Sequence, residues 1–346
     1  MLKGKNILII GARAGGYGES IARSAIAAGG RVFGTTLNPT DSREAAFFHD
    51  RGIELIDIPL RFDFEARGRV REQLARIEDW FAAKGISRMD AVIHTVAGGF
   101  PRQPSVMKAV GEILKGNDTF QDLATAVKRN VYYVNAGSFA ETVRGLPRVT
   151  DESTHYVALT YRGDLPYFIS PTKMALEKDA ARLAREGKKT LIAAFPEAWT
   201  QSSQFFTGIE VAIIEHYLRD LYGKKPQAAD LAEPFSRMEE SLSNLEGFEA
   251  FLKVWPALLG DQWSQIAESS DSKALFAFVH DLFHRMRHNA SFALLRRAVE
   301  IISDYVRDAS AIILVREFLS AGRYEPGDVR QIHFRDLLEG AAIGTA

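Results

Sequence analysis

The sequence predicts an α/β fold, a doubly wound parallel sheet with a helical C-terminal extension, and three observations carry this prediction. Short apolar runs alternate with helical stretches over residues 1–200, a pattern typical of parallel strands covered by helices on both faces. The first apolar run leads into a cluster of glycines and then into a helix. After Pro196 strand signals nearly vanish, and helical periodicity dominates from Gly208 to Ala321.

The predicted sheet contains six strands, each a short apolar run. They are Asn6–Ile10, Arg31–Thr36, Glu54–Ile58, Ala91–Val96, His155–Thr160 and Thr190–Phe195. Helices are predicted between several of them, among others from Glu19 to Ala28 and from Arg67 to Lys84. Ser170 followed by Pro171 is typical of an N-cap and the first position of a helix, so we expect a further helix to begin there.

The C-terminal part of the chain is predicted to be helical. Four stretches have helical periodicity: Ile209–Leu221, Asn244–Leu259, Lys273–Met286 and Ser291–Leu319. Because no repeat period, low-complexity tract or linker separates them from the sheet, we expect an extension packed on the sheet rather than an independent domain. The predicted division is a core of residues 1–205 and an extension of residues 206–346.

Composition excludes several classes of protein. The 43 Lys and Arg residues balance 44 Asp and Glu residues, and a net charge of −1 gives no electrostatic argument for a nucleic-acid or anionic-membrane partner. The absence of cysteine excludes disulfides, thiolate nucleophiles and iron–sulfur clusters. No apolar run approaches the roughly 20 residues that span a bilayer, and the N-terminus lacks the apolar stretch of a signal peptide, so we expect a soluble, cytoplasmic protein.

The glycine cluster after the first strand predicts a dinucleotide site. The segment Gly11–Gly18 has glycine at four of its positions and joins this strand to the first helix. Glycines here let the backbone approach a pyrophosphate closely, and the diphosphate then lies at the positive end of the helix dipole. Since a strand precedes the loop and a helix follows it, as the Rossmann-type motif requires, we predict that this loop binds a dinucleotide.

The end of the second strand bears on the choice of cofactor. An acidic residue at that position binds the adenosine ribose in NAD-dependent proteins. This chain has Thr35-Thr36-Leu37-Asn38 there and no carboxylate before Asp41. Arg13 in the glycine loop and Arg43 farther along could bind a 2′-phosphate, which favours NADPH and leaves NADH open.

At these residues the chain resembles the short-chain dehydrogenase/reductase superfamily, and most of all its enoyl-acyl carrier protein reductases, over roughly residues 5–220. The glycine loop is similar to the family's glycine signature, with one residue more between its first two glycines. Val96-Ala97-Gly98-Gly99 resembles the Asn-Ala-Gly stretch that borders the adenine and ribose, and Asp63 falls near the family's adenine-contacting aspartate. Pro196 and Thr200 are similar to the element that contacts the nicotinamide amide. The predicted cofactor-binding residues are Gly11, Arg13, Gly16, Tyr17, Gly18, Asp63, Ala97, Gly98, Lys173, Pro196 and Thr200.

Further segments extend the resemblance to the active site. Asn135–Phe139 resembles the part of the central helix where, in many members, an asparagine holds a proton-relay water. Leu159–Gly163 is similar to the enoyl reductases' Leu-Ser-Tyr-Leu-Gly, and Lys173–Glu177 to their Lys-Ala-Ser-Leu-Glu. Residues 200–203 also resemble the larger trans-2-enoyl-coenzyme A reductases, which carry extra helical mass. Phe205–Tyr222 corresponds by position to the family's substrate-binding lid.

The resemblance implies hydride transfer to an α,β-unsaturated acyl thioester. That reaction places negative charge on the thioester oxygen, so the protein must donate a hydrogen bond to this oxygen and hold the nicotinamide in place. A tyrosine hydroxyl suits the first task. A lysine suits the second, because its ammonium binds the ribose hydroxyls and its charge lowers the pKa of the tyrosine. Lys173 is the predicted lysine.

Two tyrosines are candidates for the donor to the oxyanion. The commonest superfamily spacing, four residues before the lysine, falls on Ile169, and five residues separate Tyr167 from Lys173, which fits neither branch of the enoyl reductases. Tyr161 matches the second tyrosine of the enoyl reductases. Both stay open, with Tyr167 preferred, and Asn135 completes the predicted catalytic set of Tyr167, Tyr161, Lys173 and Asn135.

Two other patterns have plainer explanations. Ser170 and Lys173 spell Ser-x-x-Lys, but the sequence lacks the partner motifs of such a serine nucleophile, and helix capping accounts for Ser170. His280, His284 and His288 recur at four-residue steps and could share one helix face, as zinc ligands do. No His-Glu-x-x-His order accompanies them, so an exposed stripe is favoured and no metal is predicted.

The leading functional prediction is therefore an NADPH- or NADH-dependent reductase of the C=C bond of an enoyl thioester. Two alternatives stay open: a ketoreductase on a polyketide or other carbonyl, and a catalytically silent dinucleotide-binding protein whose helical extension is a docking surface. The expected partner is a small-molecule or acyl-thioester substrate, with an acyl carrier protein as one way of delivering it, and no nucleic acid or membrane. By family analogy alone we expect a homo-oligomer.

Overall fold

The computed structural model describes residues 1–97, 125, 129–161, 169–200, 213, 290–334 and 336–337. By its internal contacts the chain divides into two compact units. The first comprises Met1–Pro196 together with Arg307–Ala346, and the second comprises Glu197–Val306.

A parallel sheet forms the centre of the first unit. Among the described residues it has seven strands in the order β3-β2-β1-β4-β5-β6-β7, and every neighbouring pair is parallel. The strands are β1 Asn6–Ile10, β2 Arg31–Gly34, β3 Glu54–Leu55, β4 Ala91–His94, β5 His155–Tyr161, β6 Lys189–Phe195 and β7 Asp328–Gln331. The predicted α/β fold with a doubly wound parallel sheet is confirmed. Strand order reverses between β1 and β4, so the carboxyl ends of these two strands border the crevice in which such sheets bind ligands.

Helices flank this sheet. They are α1 Tyr17–Ala27, α2 Ser42–Asp50, α3 Arg67–Ala83, α4 Ser138–Arg144 and α5 Ile169–Arg185; a further helix, α6 Ala290–Ile313, begins in the second unit and ends in the first. A short 3₁₀-helix, Phe64–Ala66, precedes α3, and π-helical turns lie before α4, at Tyr133–Gly137, and after α6, at Leu314–Ser320. Helix α5 begins one residue before Ser170, so Ser170 lies in its first turn and not at the predicted cap position.

The core of the first unit lies between the sheet and the helices α3, α4 and α5. On α3 the side chains at 70, 74, 77 and 81 recur every three or four residues and are fully buried, so one stripe of the helix faces the sheet. Phe33 of β2 meets Phe81 edge-on, with ring centroids 5.1 Å apart. Each such buried side chain contributes about 1.5–3 kcal/mol to folding.

The C-terminal segment returns to the sheet, which the sequence pattern did not predict. β7 pairs in parallel with β6, with Leu191 opposite Asp328, and its side chains are half-buried or exposed at the edge of the sheet. Ahead of it, the Asp308 carboxylate accepts a hydrogen bond of 2.6 Å from Ser20 Oγ and pairs with the Arg23 guanidinium, both on α1. Residues 307–346 belong to the same unit as the sheet, and β7 follows the stretch, ending at Ala321, over which the sequence predicts helical periodicity.

The described part of the second unit is smaller. The Trp199 backbone N–H donates to Ser303 Oγ of α6 at 2.8 Å, which ties the segment after β6 to this helix. The predicted helices Ile209–Leu221, Asn244–Leu259 and Lys273–Met286 lie almost entirely outside the described residues. Within the ranges that the structure describes, no helix combines the length and hydropathy needed to cross a bilayer.

Candidate active site

The glycine loop lies at the carboxyl ends of β1 and β4, and two of its glycines are fixed by close packing. Gly11 has a φ of +86°, and a Cβ on it would lie 2.8 Å from Val96 Cγ2. A Cβ on Gly18 would lie 3.0 Å from Thr95 Oγ1. The same Thr95 hydroxyl lies 3.1 Å from the carbonyl oxygens of Ile10 and Gly11, its hydrogen-bond acceptors. Only glycine fits where the loop passes closest to the end of β4.

The other edge of the loop is open and faces the N-terminus of α1. Gly16 is the N-cap of this helix, and the nearest atom to a Cβ built on it is the Arg13 carbonyl oxygen at 3.4 Å, so there is room for a ligand. The Gly15 N–H donates to Glu19 Oε2 at 2.8 Å, and Arg51 pairs with the same carboxylate at 2.8 Å. With its charge paired in this way, Glu19 leaves the positive end of the helix dipole suited to an anion.

Tyr17 connects the loop to the end of β6. Its hydroxyl donates to the carbonyl oxygen of Pro196 at 2.6 Å, and its ring lies 4.9 Å from that of Phe195, centroid to centroid. Both Tyr17 and Pro196 are predicted cofactor-binding residues, and the structure brings them together. Tyr17 therefore fixes the spacing between the glycine loop and the strand end that was predicted to contact the nicotinamide.

Lys173 of α5 is a buried cation at the same edge of the sheet. Its side chain is 5% exposed, and Nζ donates to the carbonyl oxygen of Leu159 on β5 at 3.2 Å. Burial lowers its pKa to about 8. An ammonium has three donors, and the described residues provide this one hydrogen-bond acceptor, so donors remain for a ligand such as ribose hydroxyls.

Asn135 lies in the π-helical turn that precedes α4. It is buried, and its Nδ2 donates to the carbonyl oxygen of Val131 at 2.8 Å. In the next turn, Ser138 Oγ donates to the carbonyl oxygen of Val134 at 2.6 Å. Single π-helical turns occur frequently at functional sites because they redirect side chains. The role predicted for Asn135, holding a relay water, stays a prediction.

His94 also belongs to this region, although from the sequence it is predicted only as a residue of a strand. It ends β4, and its Nε2 lies 3.0 Å from Ser138 Oγ. Burial, and next the charge of Lys173, lower its pKa to about 3, so the imidazole is neutral at pH 7. Its place in the sequence could have indicated that His94 belongs to this region, since a titratable residue at the carboxyl end of the strand beside β1 lies at the edge of the sheet where ligands bind.

The remaining predicted cofactor residues have these positions. Asp63 is buried and caps the 3₁₀-helix, its Oδ1 accepting from the Glu65 N–H at 3.0 Å, and its adenine contact stays a prediction. Ala97 is exposed after β4, and Arg13 is half-buried in the glycine loop. Thr200 belongs to the second unit.

Some predicted residues fall outside the described part of the chain. Tyr161 is the last residue of β5, opposite Phe195 of β6, and only its backbone is described. Gly98, Tyr167, His280, His284 and His288 lie outside the described residues altogether, as does the predicted lid Phe205–Tyr222 except for residue 213. Where side chains are described, no group of three or more His, Asp or Glu residues is placed to hold a metal ion.

Comparison with known proteins places the fold. No protein-family model and no curated protein matches this chain. The apo structure of FabMG, described as a novel type of enoyl-acyl carrier protein reductase, is similar to it with 17% identity over 99% of this chain and 95% of that one, at a TM-score of 0.63. The enoyl-[acyl-carrier-protein] reductase (NADH) of Aquifex aeolicus aligns with 19% identity over 65% of this chain and 85% of that one, at a TM-score of 0.48. The first likeness extends over nearly the whole chain and confirms, for the fold, the resemblance predicted from the sequence.

Proposed function

We propose that this protein is a nicotinamide-dependent reductase that delivers hydride to the C=C bond of an enoyl thioester. The observation that carries the proposal is Lys173, a buried ammonium at the carboxyl edge of the sheet that also holds the glycine loop. Keeping a charge on a residue that is 5% exposed costs stability, and buried ionisable groups that carry such a cost cluster at functional sites.

The residues present fit a dinucleotide. The open edge of the loop at Gly16 and the N-terminus of α1 would hold the diphosphate. The donors of Lys173 for which the described residues show no acceptor would bind the nicotinamide ribose, and Pro196, fixed by Tyr17, would border the nicotinamide. When bound, NADH or NADPH supplies the hydride.

The protein's own part in the chemistry is to stabilise charge and to orient the reactants. Hydride addition to the β-carbon leaves negative charge on the thioester oxygen, and a tyrosine hydroxyl from Tyr161 or Tyr167 donates to it. The ammonium of Lys173 favours that donation because a nearby positive charge lowers the pKa of a tyrosine. His94, neutral beside it, adds no competing positive charge.

An enoyl thioester is the preferred substrate class for two reasons. The segments around Tyr161 and Lys173 are similar to those of enoyl reductases, and a solved structure that is similar over nearly the whole chain is described as an enoyl-acyl carrier protein reductase. The acyl group would arrive on coenzyme A or on an acyl carrier protein, because both carriers hold acyl groups as thioesters of a phosphopantetheine group.

The test is a spectrophotometric assay of the full-length protein with NADH or NADPH. We expect faster loss of reduced-nicotinamide absorbance with crotonyl-coenzyme A than with acetoacetyl-coenzyme A. Faster loss with acetoacetyl-coenzyme A would replace the proposal by a ketoreductase. Dinucleotide binding without turnover of either substrate would favour a silent binding protein.

A further inference from the structure

A carboxylate lies at the end of β2, although the local sequence places none there. Glu44, in the first turn of α2, accepts a hydrogen bond from the hydroxyl of Thr36, two residues beyond β2. Its carboxylate also accepts from the Asn38 backbone N–H. The preceding Thr35 hydroxyl accepts from the Gly11 N–H at 3.1 Å, so this strand end adjoins the glycine loop. The fold therefore brings Glu44 to the strand end from the following helix.

The arginines that the sequence offers for a 2′-phosphate both face carboxylates. Arg43 is 90% exposed, and its Nη2 pairs with Asp41 Oδ2 at 3.2 Å. Burial raises the pKa of Glu44, and the charge of Arg13 partly offsets this rise. A 2′-phosphate would thus meet Arg43 already paired with Asp41, and Arg13 already interacting electrostatically with Glu44.

We infer that Glu44 makes this site select NADH over NADPH, by accepting a hydrogen bond from the adenosine 2′-hydroxyl and repelling a 2′-phosphate. The inference rests on the proposed function, because it requires a dinucleotide on the glycine loop. An ionised carboxylate only accepts hydrogen bonds, so it matches a hydroxyl donor. A phosphate in the same place would bring negative charge and only acceptors.

This inferred preference for NADH is the opposite of the preference for NADPH that the sequence favours. In dinucleotide-binding sheets the residue at the end of the second strand contacts the adenosine ribose. Read along the chain, that position holds threonines and asparagine, and Arg13 and Arg43 are the nearest charges. In the folded chain the strand end is lined by the half-buried Glu44, whose side chain Thr36 and Asn38 hold in place.

Calorimetric titration of the full-length protein with NADH and with NADPH tests the inference. We expect wild-type protein to bind NADH about tenfold more tightly than NADPH, and Glu44→Gln to reduce this ratio by about the same factor, mostly through tighter NADPH binding. Glu44→Lys should reverse the preference. The control is Asp50→Asn, which removes one exposed negative charge at the other end of α2 and should leave the ratio unchanged.

The outcomes separate this inference from the proposed function. NADPH binding as tight as NADH binding in the wild type, or a ratio that Glu44→Gln leaves unaltered in a variant with an unchanged circular dichroism spectrum, would overturn the inference and leave the proposed function standing. Failure of the wild type to bind either dinucleotide would overturn the proposed function and this inference with it.

Discussion

The buried ammonium of Lys173 is expected to lower the stability of the fold, and the substitution Lys173→Met measures this effect. Burial lowers the pKa of the side chain from 10.5 to about 8, and at about 1.4 kcal/mol per unit this shift corresponds to roughly 3 kcal/mol against the charged form in the folded state. Methionine has a similar length and no charge. It loses the bond to the Leu159 carbonyl, about 1 kcal/mol, so we expect a net gain of about 1–3 kcal/mol in the free energy of unfolding at pH 7.

The pH dependence fixes the sign of this effect. The folded-state pKa, about 8, lies below the unfolded value of 10.5. Below pH 8 both states are protonated and the cost of the buried charge is complete. Between pH 8 and 10.5 the unfolded chain binds more protons, so the free energy of unfolding of the wild type rises with pH. The advantage of Lys173→Met should therefore shrink across this window.

Urea unfolding at pH 7, 9 and 10, followed by circular dichroism, is the assay. Lys178→Met is the matched control, because Lys178 is an exposed lysine of the same helix and its replacement should change the free energy of unfolding by no more than about 0.5 kcal/mol. Calorimetry should show that Lys173→Met loses dinucleotide affinity while the control keeps it. A Lys173→Met protein that is no more stable than wild type at pH 7, with a difference that does not vary with pH, would refute the reasoning.

Three further predictions concern the loop, the histidine and the tyrosines. Gly11→Ala should lower the free energy of unfolding by about 1–3 kcal/mol and weaken dinucleotide binding, because φ is positive there and the new Cβ would lie 2.8 Å from Val96 Cγ2. Gly68→Ala, on α3 with open space around it, should raise the free energy of unfolding by about 0.5–1 kcal/mol. Equal effects of the two substitutions in urea unfolding would contradict the packing argument. The free energy of unfolding of the wild type should fall by up to about 1.4 kcal/mol per pH unit below pH 6.5, since the folded pKa of His94 is lowered to about 3 and the unfolded chain takes up the proton first. The free energy of unfolding of His94→Gln should vary less between pH 7 and 4.5, and an equal slope in the two proteins would contradict this prediction. Either Tyr161→Phe or Tyr167→Phe should lower kcat with crotonyl-coenzyme A by about 10²–10⁴-fold, and unchanged turnover in both would remove the tyrosine from the mechanism.

The sequence by itself determined the parallel sheet and the position of its glycine loop. Strands buried on both faces must be continuous apolar runs, and a loop position where an added Cβ would lie 2.8 Å from a neighbouring side chain must be glycine, so the residue types mark both features. The position of Lys173 on a helix could also be predicted from the sequence, because the lysine lies within a recognisable helix motif. Strand β7 could not be predicted from the sequence, since its residues lie at a half-exposed edge of the sheet. Backbone pairing with β6, rather than burial of apolar side chains, holds them there.

Only the tertiary structure decided which charges meet at the candidate site. The sequence around the end of β2 does not indicate that Glu44 lies there. The turn between β2 and α2 brings its carboxylate back to Thr36. His94 becomes neutral because burial and the ammonium of Lys173, far away along the chain, both oppose its protonation. Burial and proximity between distant segments set these properties, and a local pattern of residue types does not contain them.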